Sequence, residues 1–97
     1  MEYALLAFVS THTAMVAQRL LNGHVPFTVM PTLRAITHSC GISLRLAPDE
    51  ADTARTYLKT GGLTDEQVRY FAVYPGERCE PFVFPDQAEE PPAITTP

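Results

Sequence analysis

Tyr3-Ala4-Leu5-Leu6-Ala7-Phe8-Val9 is apolar on both sides of a two-residue period, with Tyr3, Leu5, Ala7 and Val9 on one side and Ala4, Leu6 and Phe8 on the other. A strand without a polar face has to be covered on both, so this stretch predicts the central strand of a sheet. The chain then leaves the strand abruptly. Ser10 or Thr11 can cap a helix in which Ala14, Ala17 and Leu20 or Leu21 recur at helical spacing, and Asn22-Gly23 stops it. The small alanines let this helix lie close to the sheet.

Phe27-Thr28-Val29-Met30 reads as a second, short strand between Pro26 and Pro31. Ile42, Leu44 and Leu46 alternate with Ser43 and Arg45, which makes a third strand with one buried and one polar face. Pro48, Asp49, Glu50 and Asp52 suit the start of a second helix, whose inner stripe is Ala51, Ala54 and Leu58 and whose end is Gly61-Gly62. Thr64 to Gln67 makes a turn, and Val68-Arg69-Tyr70-Phe71-Ala72-Val73-Tyr74 is the last strand, closed by Pro75-Gly76. The order β-α-β-β-α-β predicts an α+β two-layer sandwich of the ferredoxin-like kind, with antiparallel sheet order 4-1-3-2.

With 97 residues the chain is expected to be one domain, residues 1–80, followed by a tail over residues 81–97 that holds five of the nine prolines. Beyond about residue 85 there is no periodicity and little apolar surface, so no order is expected there. Phe82-Val83-Phe84 is different, because three large apolar residues need a surface to cover. A two-layer fold places helices on one face of its sheet only, and the first strand would leave Ala4, Leu6 and Phe8, or their alternates, open on the other. We expect both residues 81–85 and a second copy of the chain to cover it, in a homodimer whose interface includes the sheet face or the 81–85 segment.

The net charge is −4, but it is unevenly placed. Residues 1–46 carry Arg19, Arg34 and Arg45 against Glu2 alone, together with His12, His24 and His38, while residues 47–97 carry ten acids against four bases. Three arginines and a pI near 5.2 do not make a nucleic-acid footprint. No run approaches the roughly 18 apolar residues of a membrane span. The start of the chain has an acid where a signal peptide would have bases, so a cytoplasmic protein is expected. Cys40 and Cys79 are too few for a disulfide framework and do not form a C-x-x-C pair, so both are expected as free thiols.

The chemistry-bearing residues concentrate in Pro31-Thr32-Leu33-Arg34-Ala35-Ile36-Thr37-His38-Ser39-Cys40-Gly41-Ile42. Gly41 would allow a sharp turn or positive φ beside the thiol of Cys40. In the expected topology this loop shares one end of the sheet with Ser10 to Thr13 and with Gly61 to Leu63. Thr11, His12 and the open amides of the first helix would then face Cys40, and with Arg34 or a protonated His38 would favour its thiolate. The same residues also fit a plainer reading, a packed thiol in a polar turn. His38, Cys40 and His12 have no recognised zinc spacing and lack a fourth ligand, so no metal or cofactor is expected. Cys79, beside Glu80, is expected to be passive.

Ser10-Thr11-His12-Thr13-Ala14 after the first strand, and the run from Pro31 through Ser39-Cys40-Gly41 to Arg45, resemble the two signatures of the small bacterial selenium/sulfur carrier protein-like family. The likeness extends over roughly Tyr3 to Leu63. It departs at Leu33, where members more often have proline, and at His38, where a small hydroxyl residue is more usual. The resemblance implies that Cys40 holds sulfur as a persulfide, or selenium in its place, with Arg34, His38, Ser39, Gly41, His12 and Thr11 around it. It also implies donor and acceptor proteins as partners, and a carrier rather than a catalyst. The alternative is a dimeric binding or regulatory module in which Cys40 only packs.

Overall fold

The computed structural model describes residues 1–84. Strand β1 (Tyr3–Phe8) is followed by helix α1 (Thr11–Leu21), strands β2 (Thr28–Pro31) and β3 (Ile42–Leu46), a single 3-10 turn at Pro48–Glu50 and helix α2 (Ala51–Thr60). Strands β4 (Val68–Tyr74) and β5 (Arg78–Pro81) complete the described chain. The result is an α+β fold with two helices and one antiparallel sheet ordered β2-β3-β1-β4-β5. This corrects the expected four-strand order 4-1-3-2. Neighbours among the first four strands are those expected, and the difference is β5, which pairs outside β4.

Every residue of β1 is buried, as its two apolar faces require. Strand register sorts the faces, because residues opposite each other point the same way. Ala4, Leu6 and Phe8 share a face with Leu44, Leu46 and Val68, and the helices cover it with Ala14, Ala17, Leu21, Ala51, Ala54 and Leu58. Ser10 caps α1 by accepting from the amide of Thr13 at 3.1 Å, which leaves Thr11 as the first helical residue. The alanines on both helices do what small residues allow and bring the layers close. At the end of α2 the approach is so tight that a Cβ on Gly61 would lie 2.6 Å from the methyls of Leu20.

The opposite face, Tyr3, Leu5, Ala7 and Val73, is not open. Ile36, 8% exposed, is buried in the same cluster, and Leu33, Met30, Phe71 and Cys79 pack against it. The connection between β2 and β3 therefore folds back over the sheet as its second cover. Phe84 is 2% exposed and joins the helix-side core, where it meets Tyr70 edge-on and Phe82 at a tilt. The face assigned to a second copy of the chain is thus filled from within. The part of the tail expected to lack order, beyond about residue 85, lies outside the described residues.

Candidate functional site

The β2–β3 connection begins at the last rung of its hairpin, Pro31 opposite Ile42. Pro31 ends β2 without cost because its missing amide falls at the close of an edge strand. One further backbone bond, from the Thr32 amide to the Gly41 carbonyl at 3.1 Å, extends the ladder into the loop. Cys40 is then tied from both sides. Its amide donates to the carbonyl of Phe8, the last residue of β1, at 2.8 Å, and its carbonyl accepts from Thr32 Oγ1 at 2.8 Å. The same hydroxyl lies 2.7 Å from Oγ of Ser43, which is fully buried in β3, so Thr32 joins both limbs of the loop.

The thiol itself is half-buried. Sγ points toward the carbonyl of Ile42 at 3.4 Å, and the side chain packs at the margin of the helix-side core. Cys40 therefore stands at the sheet end where β1 finishes, with its backbone fixed and its sulfur between core and solvent.

Arg69 is the residue that the sequence reading did not place here. It sits in β4 opposite Ala7, so its side chain leaves the sheet on the face covered by the loop. One guanidinium nitrogen, Nη2, donates to Oγ of Ser39 at 2.5 Å and also to the carbonyl of Thr37. Between those two residues His38 holds φ at +59°, in the left-handed region. The only signal for Arg69 in the sequence was a lone base in an otherwise apolar strand, and no local pattern ties it to a loop some thirty residues earlier.

The other expected site residues separate into two groups. Ser39, Cys40 and Gly41 are assembled with Thr32, Ser43, Phe8 and Arg69. Arg34 and His38 are exposed, as are Thr11 and His12 in the first turn of α1. Among the described residues no hydrogen bond or ion pair joins these four side chains to Cys40. The chain bends at Gly41, but its φ is not positive, and an added Cβ would meet nothing within 4 Å. The left-handed residue is His38, because the chain reverses there to bring Thr37 and Ser39 round the guanidinium.

Cys79 lies in β5 opposite Val73, which in turn is opposite Tyr3 at the far end of β1. Five residue steps along β1 separate that end from Phe8, about 17 Å at strand rise. The two thiols also pack with different faces of the sheet, Cys40 with the helix side and Cys79 with the loop side. They are free cysteines that cannot bridge without unfolding. Burial first, and the nearby Glu77 carboxylate second, push the Cys79 thiol above its ordinary pKa.

An open cavity of about 370 Å³ borders Arg69 from the β4 edge, with Arg55, Asp65, Tyr70, Phe82 and Phe84 in its walls. Neither Ser39 nor Cys40 lines it. Among the described residues no three histidine, cysteine or carboxylate side chains gather as a metal site, and no helix is long and apolar enough to cross a membrane.

Comparison with curated proteins and with solved structures finds no match. A family model does match, and it spans β1 through the first residues of β4, including the whole Cys40 loop and Arg69. By that match over residues 3–70, the chain belongs to the family described as Putative Se/S carrier protein-like.

Proposed function

We propose that this protein carries sulfur or selenium as a single transferable atom on Cys40. The observation that supports this most directly is the treatment of Cys40 itself, whose amide and carbonyl are both tied to the scaffold while its sulfur stays half-exposed at the end of the sheet. A carrier needs that combination: a fixed backbone for presentation and an accessible sulfur for exchange. In the loading step the Cys40 thiolate attacks the terminal sulfur of a donor enzyme's persulfide. The donor's S–S bond breaks, its thiolate leaves, and a new S–S bond forms on Cys40. In the unloading step an acceptor thiolate attacks that terminal sulfur and the Cys40 thiolate departs. The two steps exchange one sulfane sulfur with no net oxidant or reductant. Selenium would move by the same displacement.

The partners are therefore a donor and an acceptor with reactive thiols or an equivalent nucleophile. A dimer is not required. Because Cys79 lies at the other end and on the other face of the sheet, the atom leaves Cys40 to a group outside the chain rather than to a second thiol within it.

The test is the intact mass after incubation with a cysteine desulfurase and cysteine. Wild type should gain one sulfur, and Cys40→Ser should gain none. An equal gain in both, or none in either with sulfur and selenium donors alike, would remove the carrier reading. One observation favours the plainer alternative, a binding or regulatory module in which Cys40 packs: Sγ contacts the core margin and points at the Ile42 carbonyl. That reading expects Cys40→Ser to lower the melting temperature clearly and to leave any activity of the protein otherwise intact.

A further inference from the structure

We infer that Arg69 is the positioning residue of the Cys40 loop, a latch that holds residues 37–39 so that the thiol stays half-buried until a partner engages it. The inference rests on the carrier reading for its purpose but not for its geometry. Three features carry it.

The first is reach. Arg69 is anchored in β4, beside the central strand, and its guanidinium spans to the loop on the covered face of the sheet. Its two acceptors, the Thr37 carbonyl and Ser39 Oγ, flank His38, whose left-handed backbone is unfavourable for a residue with a side chain. A conformation of that kind persists only when its surroundings over-determine it. Arg69 supplies that constraint from outside the loop.

The second is charge. Among the described residues no carboxylate pairs with Arg69, and its hydrogen bonds go to neutral oxygens one and three residues from Cys40. Hydrogen bonds from a charged donor are stronger than neutral ones, so a single side chain can hold the segment.

The third is the layout of the remaining ties. Thr32 and Phe8 fix the backbone of Cys40 itself, whereas Ile36 anchors the middle of the loop in the second cluster. Among the described residues, the segment between Ile36 and Cys40 is tied to the sheet by hydrogen bonds from Arg69 alone. Losing the guanidinium would free residues 37–39 and let the loop swing at Cys40, with the rest of the fold in place.

The experiment compares alkylation of the two thiols in the same molecule. Iodoacetamide modification of Cys40 and Cys79 is followed by peptide mass in the wild type, Arg69→Gln, Arg69→Lys and Ser39→Ala. Arg69→Gln should speed Cys40 alkylation about tenfold and leave Cys79 unchanged. Arg69→Lys, which keeps the charge on a shorter, differently shaped donor group, should fall between. Ser39→Ala removes one acceptor with Arg69 present and should give a smaller change in the same direction, which keeps the test open should Arg69→Gln fold poorly. Amide exchange should rise at Cys40, whose amide is bonded to Phe8, and not in β1. A Cys40 to Cys79 ratio unchanged in all three variants, or both thiols accelerating together, would overturn the inference. Neither measurement uses a donor, so its failure would leave the mass test of sulfur loading to be judged separately.

Discussion

His38 holds φ at +59° while Gly41, two residues past Ser39, is not left-handed. The two positions should therefore respond in the same direction to opposite changes. His38→Gly relieves a left-handed side chain and should stabilise by up to about 1 kcal/mol after the extra unfolded-state entropy is subtracted. Gly41→Ala restricts the unfolded chain without a clash and should stabilise by about 0.4–1 kcal/mol. Denaturant midpoints of the two variants check both. Half-buried Tyr70 and Cys79, together with buried Tyr3, set an alkaline limit. Burial, reinforced by Asp65 and opposed by Arg55, holds the phenol of Tyr70 well above its ordinary 10.0, and burial with Glu77 raises Cys79 above 9.0. Both groups keep their protons longer in the folded state than in the unfolded one. Stability is thus fully present below the unfolded values and falls as pH climbs past about 9 and then 10. Melting temperatures against pH should show the decline, Tyr70→Phe should reduce the part that begins near 10, which buried Tyr3 shares, and an unchanged slope would contradict the assignment.

The loop is an element built on one hydroxyl. Thr32 Oγ1 meets both the Cys40 carbonyl and the buried Ser43 Oγ, so Thr32→Val leaves a buried hydroxyl without its partner and should cost about 1–3 kcal/mol. Thr32→Val with Ser43→Ala should cost less than the sum, because the second change removes the orphan. A strictly additive double-mutant cycle would mean that the two hydroxyls do not interact. The helices carry their own devices. Ser10→Ala removes the cap of α1 and should cost about 1 kcal/mol in thermal unfolding. Gly61→Ala forces Leu20 aside and should cost about 1 kcal/mol or more, in contrast to Gly41→Ala.

At the scale of the molecule, two covers close a single sheet: the helices on one face, and Leu33 and Ile36 of the loop on the other. Phe84 belongs to the first of these although it lies after β5, and Phe84→Ala should cost about 3–5 kcal/mol. Leu6 is fully buried under the helices. Leu6→Asp should therefore abolish the cooperative unfolding transition, and a folded protein of half the wild-type mass by light scattering would instead restore a dimer face. The edge strand β5 carries Arg78 and Glu80, joined in an ion pair, and ends in Pro81, features that discourage a further strand from adding there. Those charged residues also hid it, since an exposed edge strand has no apolar alternation to read.

What the sequence determined by itself is what depends on near neighbours. The two-faced burial of Tyr3–Phe8, the helical stripes of alanine and leucine, the Ser10 cap, the Gly61 stop and the placement of Cys40 at a loop-to-strand corner all follow from spacing and backbone preference. What only the tertiary structure decided is what depends on register and on contacts between distant segments. β5 exists because the Pro75-Gly76 turn sets Arg78–Pro81 against β4, which supplies hydrogen bonds that no apolar pattern advertises. Ile36 closes the second face because the β2–β3 loop is long enough to fold back over it. Arg69 reaches Ser39 because pairing with Ala7 turns its side chain toward that loop, and a one-residue shift of register would have turned it toward the helices instead.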